Sequence, residues 1–224
     1  MLRAIIFDCD GVIADTEPLH YRAFVQVLRG LVPLPSEREY FLKYVGLTDE
    51  AFVATLFAEA GRPIDADRLR QLVRDKAAVY RAMIDGGLAL LPGVEAFIRL
   101  VAPRWPLAIC SGALRGEIEY LLAPRGLLFF FAVIVSAESV PTSKPDPGGY
   151  LLVCRLLAEK FPGITAGECL VIEDSRHGVA AAQSAGMKVL AVGPLAQTWR
   201  SSPADATAVD LTQVSAERLA TLFR

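Results

Sequence analysis

The chain has 224 residues, of which 53% are hydrophobic, and its formal net charge is −2 at pH 7. This length can hold one sizeable core and a smaller second unit. The charge, without a basic stripe, argues against nucleic acid as the main partner. The longest apolar run, residues 127–135, is shorter than the about 20 residues that span a bilayer, and no signal peptide is visible. We expect a cytoplasmic protein, a monomer or weak dimer, without a membrane partner.

The four cysteines predict a protein with reduced thiols. They show no C-x-x-C spacing, and three of them, Cys9, Cys110 and Cys169, lie in or beside predicted buried strands. Free cysteines commonly pack as small apolar side chains, and a structural zinc site needs closer spacing. We therefore expect core thiols rather than disulfides or a zinc site.

An apolar run near the start of the chain ends at two carboxylates, Asp8 and Asp10, followed by Gly11. Side chains at positions i and i+2 leave a strand on the same side, so both carboxylates are expected at the carboxyl end of a strand. Ligands bind at that edge of open parallel sheets. Neighbouring carboxylates repel each other unless a proton or a cation lies between them. The motif alone fits either a divalent metal site or a polar strand end.

Helical periodicity dominates residues 16–85. A first helix is predicted from about Asp15 to Leu28, and others at about 37–44, 49–60 and 66–84, with glycine and proline breaks between them. No strand alternation of any length occurs in this segment. It is therefore predicted to be an all-helical insert.

From Leu90 onward, predicted strands alternate with predicted helices. The strands are predicted at 107–110, 132–135, 169–172, 188–192 and 208–211, and the helices at about 114–124, 147–160, 177–185 and after Ser215. This alternation indicates a parallel sheet with helices on both faces, which the first strand, residues 3–8, joins across the insert.

The predicted fold class is α/β, with a Rossmann-like parallel sheet core and an inserted helical cap. Residues 1–15 and 86–224 form the core, and residues 16–85 form the cap. Because the insert directly follows the acidic loop, we expect the cap to act as a lid that excludes water and selects the substrate.

Polar side chains also follow the second and third core strands. Ser111 and Gly112 lie at a strand-to-helix junction, which can offer a hydroxyl and backbone N–H groups to a phosphate; a helix-capping serine is the alternative. Lys144 lies on a loop stiffened by two prolines, where a solvated surface lysine is equally compatible with the sequence.

Two adjacent carboxylates, Glu173 and Asp174, follow the predicted strand at 169–172. Carboxylates at the end of a buried strand are costly unless they are paired or bind a metal. Together with Asp8 and Asp10 they form a set of hard oxygen ligands at one sheet edge. Such a set suits Mg²⁺, and the nearby lysine would balance a phosphoryl group.

Four segments carry these residues: F-D-C-D-G-V-I-A-D-T-E-P-L-H at 7–20, S-G at 111–112, S-K-P-D-P at 143–147 and V-I-E-D-S-R-H-G-V-A-A-A-Q-S-A-G-M at 171–187. In order and spacing they resemble the haloacid dehalogenase-like superfamily, specifically its β-phosphoglucomutase-like, or CbbY-type, phosphatase subgroup with a helical cap. The resemblance implies a Mg²⁺-dependent phosphomonoester hydrolase acting on a small phosphorylated metabolite, with sugar phosphates as the expected class, through an aspartyl-phosphate intermediate.

The resemblance also implies roles for the carboxylates. Asp8 is expected to attack phosphorus as the nucleophile. Asp10 is expected to protonate the leaving alkoxide and then to deprotonate the attacking water. Asp8, the backbone carbonyl of Asp10, Glu173 and Asp174 would hold Mg²⁺ together with waters.

Further residues are implied to contact the substrate. Ser111, the Gly112 N–H and Lys144 would hold the phosphoryl oxygens, and Lys144 would also offset the charge of the nucleophile. Glu17 and His20 match positions that face the substrate in this subgroup, with a hydrogen-bonded structural histidine as the alternative for His20.

Two departures from the mutases of this subgroup favour hydrolysis. Those mutases carry an arginine just after the glycine that matches Gly46, to hold a second phosphate, whereas this chain has Asp49 in that segment. They also carry a lysine soon after the serine that matches Ser111, where this chain has Leu114 and Arg115. Gly46 and Arg115 are still candidate substrate-binding residues, although a solvated arginine at a helix start is an equal alternative.

Two other functions are compatible with parts of the pattern. A sugar phosphomutase of the β-phosphoglucomutase type is the main alternative. A phospho-acceptor signalling receiver is more remote, because receivers lack a helical insert and carry the acceptor on a middle strand. A dehalogenase is also disfavoured, since Asp10 would have no leaving alkoxide to protonate.

Overall fold

The computed structural model describes residues 1–45, 47–85, 88–193, 196 and 204–223. The chain divides into two compact units, a sheet unit of Met1–Asp15 with Ala89–Arg224 and a helical unit of Thr16–Leu88. The predicted domain boundaries follow residues 15 and 85, and this division has its boundaries after residues 15 and 88. No helix in the described ranges is both long enough and apolar enough to cross a membrane.

The described part of the chain contains six strands and nine α-helices. The strands are β1 (Ala4–Phe7), β2 (Leu107–Cys110), β3 (Phe131–Val135), β4 (Cys169–Glu173), β5 (Lys188–Val192) and β6 (Ala206–Ala208). The helices are α1 (Glu17–Leu28), α2 (Glu37–Lys43), α3 (Asp49–Glu59), α4 (Ala66–Ile84), α5 (Val94–Val101), α6 (Arg115–Leu122), α7 (Gly148–Lys160), α8 (Arg176–Ser184) and α9 (Ala216–Thr221).

The sheet is parallel, with the strand order β3-β2-β1-β4-β5-β6. Within it, Phe7 of β1 lies beside Ile109 of β2 and Ile172 of β4. All residues of β1, β2 and β4 are buried, as expected for parallel strands covered on both faces. The predicted fold class is confirmed, and β1 joins the sheet across the insert. Cys9, Cys110 and Cys169 are buried, as predicted.

Helix α5 was not predicted from the sequence. Its buried residues, Val94, Phe97, Ile98 and Val101, have the spacing of one helix face. Its N-cap is Gly93, which has φ +81° and provides no side-chain cap. The usual Ser, Thr or Asp start signal is therefore missing.

The last strand was predicted at the wrong residues. The strand is β6, Ala206–Ala208, instead of residues 208–211. The Asp210 carboxylate accepts a hydrogen bond from the Thr212 N–H at 2.9 Å and begins a 3₁₀ turn, Leu211–Gln213. This local hydrogen bond competes with strand pairing.

The helical unit has capped helices and a core of its own. The side chains of Ser36, Thr48 and Asp65 each accept a hydrogen bond from a backbone N–H three residues ahead, at the starts of α2, α3 and α4. These caps satisfy N–H groups that have no partner within the helix. The core of the unit includes Phe24, Leu28, Tyr40, Phe52, Leu56 and Leu72.

Candidate active site

Carboxylates lie at the ends of the neighbouring strands β1 and β4: Asp8 follows β1, and Glu173 is the last residue of β4. Phe7 and Ile172 are paired in the sheet, and the Asp8 N–H donates to the Ile172 carbonyl at 3.0 Å. One carboxylate oxygen each from Asp8, Glu173 and Asp174 lies within 4.8 Å of the others. The fold therefore brings together carboxylates that are separated by about three quarters of the chain.

Lys144 contacts two of these carboxylates. Its Nζ lies 2.9 Å from Asp8 Oδ1 and 2.6 Å from Glu173 Oε1. Burial alone would lower the pKa of Lys144, but Asp8 and Glu173 outweigh burial and raise that pKa well above its ordinary value. Lys144 is therefore a fixed positive charge at the sheet edge, beside the predicted nucleophile.

The buried Asp8 carboxylate has two negatively charged neighbours, Glu173 and Asp10, and one positively charged neighbour, Lys144. Burial raises the pKa of Asp8 to about 8; Lys144 opposes this rise, and Glu173 and Asp10 add to it. A carboxylate in these surroundings is stabilised in its charged form by a further cation. Clustered carboxylate oxygens are the donors that Mg²⁺ prefers, so the residues present fit that ion.

Glu173 is fully buried and accepts hydrogen bonds on both oxygens. Oε1 accepts from Lys144 Nζ at 2.6 Å and from the Tyr150 hydroxyl at 3.2 Å. Oε2 accepts from the Asp174 N–H at 2.9 Å, the Ser175 N–H at 2.8 Å and the Ser175 hydroxyl at 3.0 Å. These bonds fix the carboxylate in place. Its assignment as a metal ligand stays a prediction.

Two glycines allow the carboxylates to approach the backbone. A Cβ atom on Gly178 would lie 1.6 Å from Glu173 Oε1, and one on Gly11 would lie 1.9 Å from Asp174 Oδ2. Gly11 also has φ +74°, a conformation that favours glycine. Both positions therefore require glycine for the site to form.

Asp10 and Ser111 also lie together at this edge. The Ser111 hydroxyl is 3.5 Å from Asp10 Oδ2, the outer limit of a hydrogen bond, and its Oγ accepts from the Ala113 N–H at 3.0 Å. Gly112 is exposed, with open space on the side where a Cβ would point. The strand-end residues Asp8, Asp10, Ser111, Lys144, Glu173 and Asp174 are thus placed by β1, β2, β4 and the loop before α7.

Arg115 forms hydrogen bonds with Glu119 and Glu138. Its Nε donates to Glu119 Oε1 at 2.8 Å along α6, its backbone N–H donates to Glu138 Oε2 at 2.8 Å, and its side chain is 55% exposed. The described contacts of its guanidinium do not include Asp8 or Lys144. The predicted substrate contact of Arg115 stays a prediction, and the alternative of an exposed arginine at a helix start agrees with these contacts.

The remaining predicted residues belong to the helical unit. Glu17 accepts a hydrogen bond from the Tyr40 hydroxyl at 2.9 Å. His20 is buried, and its ring stacks on Tyr80 with 4.1 Å between the centroids. Gly46 lies outside the described residues.

Lys76 was not recognised in the sequence. It is fully buried, and its Nζ donates to Asp49 at 2.8 and 3.0 Å and to His20 Nδ1. The Lys76 ammonium also lies 4.9 Å from the ring centroid of Phe24 and 5.1 Å from that of Tyr80. Asp49, found where the mutases carry arginine, is therefore the counter-ion of Lys76.

Removing the two partners of this ion pair should have unequal effects. Asp49→Asn leaves the fully buried Lys76 ammonium without its carboxylate, and we expect the free energy of unfolding to fall by about 3 kcal/mol. Lys76→Met leaves the Asp49 carboxylate, which is 22% exposed and can be hydrated, so the loss should be smaller. Urea unfolding followed by circular dichroism measures both. An equal or larger loss in Lys76→Met would contradict this account.

The chain belongs to the haloacid dehalogenase-like hydrolase family, whose model matches residues 5–192. Within it, the chain falls in the β-phosphoglucomutase-like, CbbY-type subgroup, and its enzymatic class is phosphatase.

Three similar proteins illustrate this placement. Fructose-1-phosphate phosphatase YqaB of Escherichia coli is 30% identical over 188 residues, covering 84% of this chain and 95% of that protein. Protein CbbY of Rhodobacter capsulatus is 34% identical over 200 residues, covering 84% of each chain. The crystal structure of β-phosphoglucomutase from Clostridium difficile has a TM-score of 0.85 at 23% identity, covering 100% of this chain and 97% of that one, and it supports the fold.

Proposed function

We propose that this phosphatase hydrolyses the monoester of a small sugar or polyol phosphate with the help of Mg²⁺, and that Asp8 carries the phosphoryl group between two steps. The observation that supports this most directly is the buried cluster of Asp8, Glu173 and Asp174 with Lys144 between two of the carboxylates. It combines a nucleophile, a set of metal ligands and a cation for the phosphoryl oxygens.

In the first step, an oxygen of Asp8 forms a bond to phosphorus while the bond from phosphorus to the substrate's ester oxygen breaks. Asp10 gives its proton to that leaving oxygen, so the product leaves as an alcohol. Lys144 offsets the negative charge that gathers at Asp8 and the phosphoryl oxygens. The Ser111 hydroxyl and the Gly112 N–H donate to those oxygens.

In the second step, Asp10 takes a proton from a water molecule, whose oxygen attacks phosphorus. The bond between phosphorus and Asp8 breaks, and inorganic phosphate forms. The same carboxyl group therefore acts as acid and then as base. Asp10 lies near Asp8, whose pKa its charge helps to raise, and 3.5 Å from the Ser111 hydroxyl.

Asp8, Asp174 and the backbone carbonyl of Asp10 would hold Mg²⁺, with Glu173 as a further candidate. When bound, Mg²⁺ supplies positive charge that neutralises the phosphoryl oxygens and orients them for in-line attack. Phosphoryl transfer depends mainly on such positioning and charge neutralisation.

Two observations favour hydrolysis of a monophosphate over isomerisation through a bisphosphate. Asp49 is used to neutralise the buried Lys76 in the helical unit, where a mutase would need a cation for the second phosphate. A relative is named fructose-1-phosphate phosphatase. We infer that the natural substrate is of this kind, and that the enzyme works in the cytoplasm without nucleic-acid or membrane partners.

A panel of hexose, pentose and hexitol monophosphates tests this proposal. Release of inorganic phosphate should require Mg²⁺, stop with a chelator and return when Mg²⁺ is added. A sugar 1-phosphate supplied with a catalytic amount of its bisphosphate should give free phosphate and no isomer. Isomer without free phosphate would establish a mutase instead, and turnover in the presence of chelator would contradict the metal requirement.

Replacing Asp174 by asparagine should weaken Mg²⁺ binding. The change keeps the shape of a side chain that lies against Gly11 but removes its charge, and we expect the dissociation constant for Mg²⁺ to rise by at least about tenfold. Calorimetric titration with Mg²⁺ measures this directly. The exposed Asp67 on α4 provides the control, because Asp67→Asn should leave Mg²⁺ binding unchanged. Equal affinities in the two variants would exclude Asp174 as a ligand.

A further inference from the structure

Tyr150 is fully buried on α7, six residues after Lys144. Its hydroxyl donates to Glu173 Oε1 at 3.2 Å. Its ring centroid lies 5.3 Å from Lys144 Nζ, within the range of a cation–π contact. The side chain therefore contacts both Lys144 and the carboxylate that binds Lys144.

The contacts of Tyr150 restrict the conformations that the Lys144 side chain can adopt. Glu173 Oε1 accepts from both the ammonium and the phenol, while Oε2 is held by the backbone at residues 174 and 175. Lysine otherwise is a flexible side chain with many rotamers. The hydroxyl of a tyrosine carries its proton at neutral pH, so the Tyr150 phenol donates to the Glu173 carboxylate.

We propose that Tyr150 is a positioning residue that acts through Glu173 to hold the Lys144 ammonium in place for the phosphoryl group. This inference rests on the proposed function, in which Lys144 binds the phosphoryl oxygens. The contacts that give Tyr150 this role are those with Glu173 and Lys144. Its contribution is to fix Lys144 before the substrate arrives, because groups already in place need no reorganisation in the transition state.

The test is Tyr150→Phe, which keeps the ring and removes only the hydroxyl. We expect kcat to fall by about tenfold while KM changes by less than about threefold, because the loss concerns mainly the transition state. Binding of inorganic phosphate to the Mg²⁺-loaded enzyme, measured by calorimetry, should weaken by about two- to threefold, in keeping with the small change in KM. The thermal midpoint of unfolding should stay close to that of the wild type.

Tyr44→Phe is the matched control. Tyr44 is also buried and its hydroxyl donates to a carboxylate, Glu59, at 2.9 Å, but it lies in the helical unit. This variant should keep the wild-type kcat and phosphate affinity. An equal loss of kcat in both variants would overturn the proposal in favour of a general effect on stability.

A double substitution shows whether Tyr150 acts through Lys144. In a Lys144→Met background, Tyr150→Phe should change kcat by less than about twofold, because the group it positions is gone. A full tenfold loss in that background would overturn the proposal. If Tyr150→Phe has wild-type kcat and phosphate affinity, this inference alone fails. If the wild-type enzyme releases no phosphate from any monoester, the proposed function fails and this inference fails with it.

Discussion

Asp8→Asn should lower kcat for phosphate release by at least about 10³-fold, because an amide cannot replace the carboxylate as the attacking nucleophile. The substitution preserves the shape of the side chain, and the Asp8 N–H to Ile172 contact belongs to the backbone. The loss should therefore be chemical rather than structural. Steady-state release of inorganic phosphate at saturating Mg²⁺ measures it.

Measurements of stability distinguish the loss of the nucleophile in Asp8→Asn from misfolding of the variant. Burial raises the pKa of Asp8 to about 8, which means that its charged form is disfavoured in the metal-free protein. Removing the carboxylate should leave the free energy of unfolding of the metal-free protein unchanged or higher. Added Mg²⁺ should then stabilise Asp8→Asn less than the wild type. Turnover above about one tenth of the wild-type rate would exclude Asp8 as the nucleophile.

Gly178→Ala should damage both stability and activity. By helix propensity alone, the change would stabilise α8 by about 1 kcal/mol. The added Cβ, however, would lie 1.6 Å from Glu173 Oε1, and the Glu173 carboxylate is held by hydrogen bonds on both oxygens. We expect the overlap to dominate and to lower the free energy of unfolding by about 3 kcal/mol or more. Activity should fall with it, because displacing Glu173 releases Lys144.

Gly167→Ala is the matched control for this prediction. A Cβ on Gly167 would meet no atom within 4 Å, so this variant should keep its stability and activity. Chemical unfolding and phosphate release are compared for the two variants at one temperature. A Gly178→Ala protein as stable as Gly167→Ala would show that Glu173 is free to move, and that the close packing around it is not required.

The strand-end residues of the site were predictable because their positions follow from a local rule. Asp8, Ser111 and Glu173 each end or follow a short apolar run, and parallel strands align their carboxyl ends at one edge. The helices of the helical unit were likewise predictable, because their periodicity and the glycine and proline breaks between them are local features of the sequence. These features depend on neighbours within a few residues.

Features that depend on distant contacts were not predictable. From the sequence, Lys76 is indistinguishable from an exposed lysine in a polar helix. It is buried beside Asp49 because α4 packs against α1 and α3. From the sequence, Tyr150 is indistinguishable from other apolar residues of a helix. Its hydrogen bond to Glu173 joins positions that are 23 residues apart, so no local pattern indicates it. Both side chains combine an apolar body with a polar end, so their burial cannot be read from residue type alone.

The covalent step at Asp8 is the central claim, and direct detection of the phosphorylated enzyme tests it. Asp10→Ala should lose the base for the second step, but a substrate whose leaving group needs no proton, such as p-nitrophenyl phosphate, can still phosphorylate Asp8. After acid quenching, mass spectrometry should find one phosphoryl group on the peptide that contains Asp8, and none when Asp8→Asn is added to the variant. Phosphate on another residue, or product release with no phosphorylated enzyme at any time, would contradict the account.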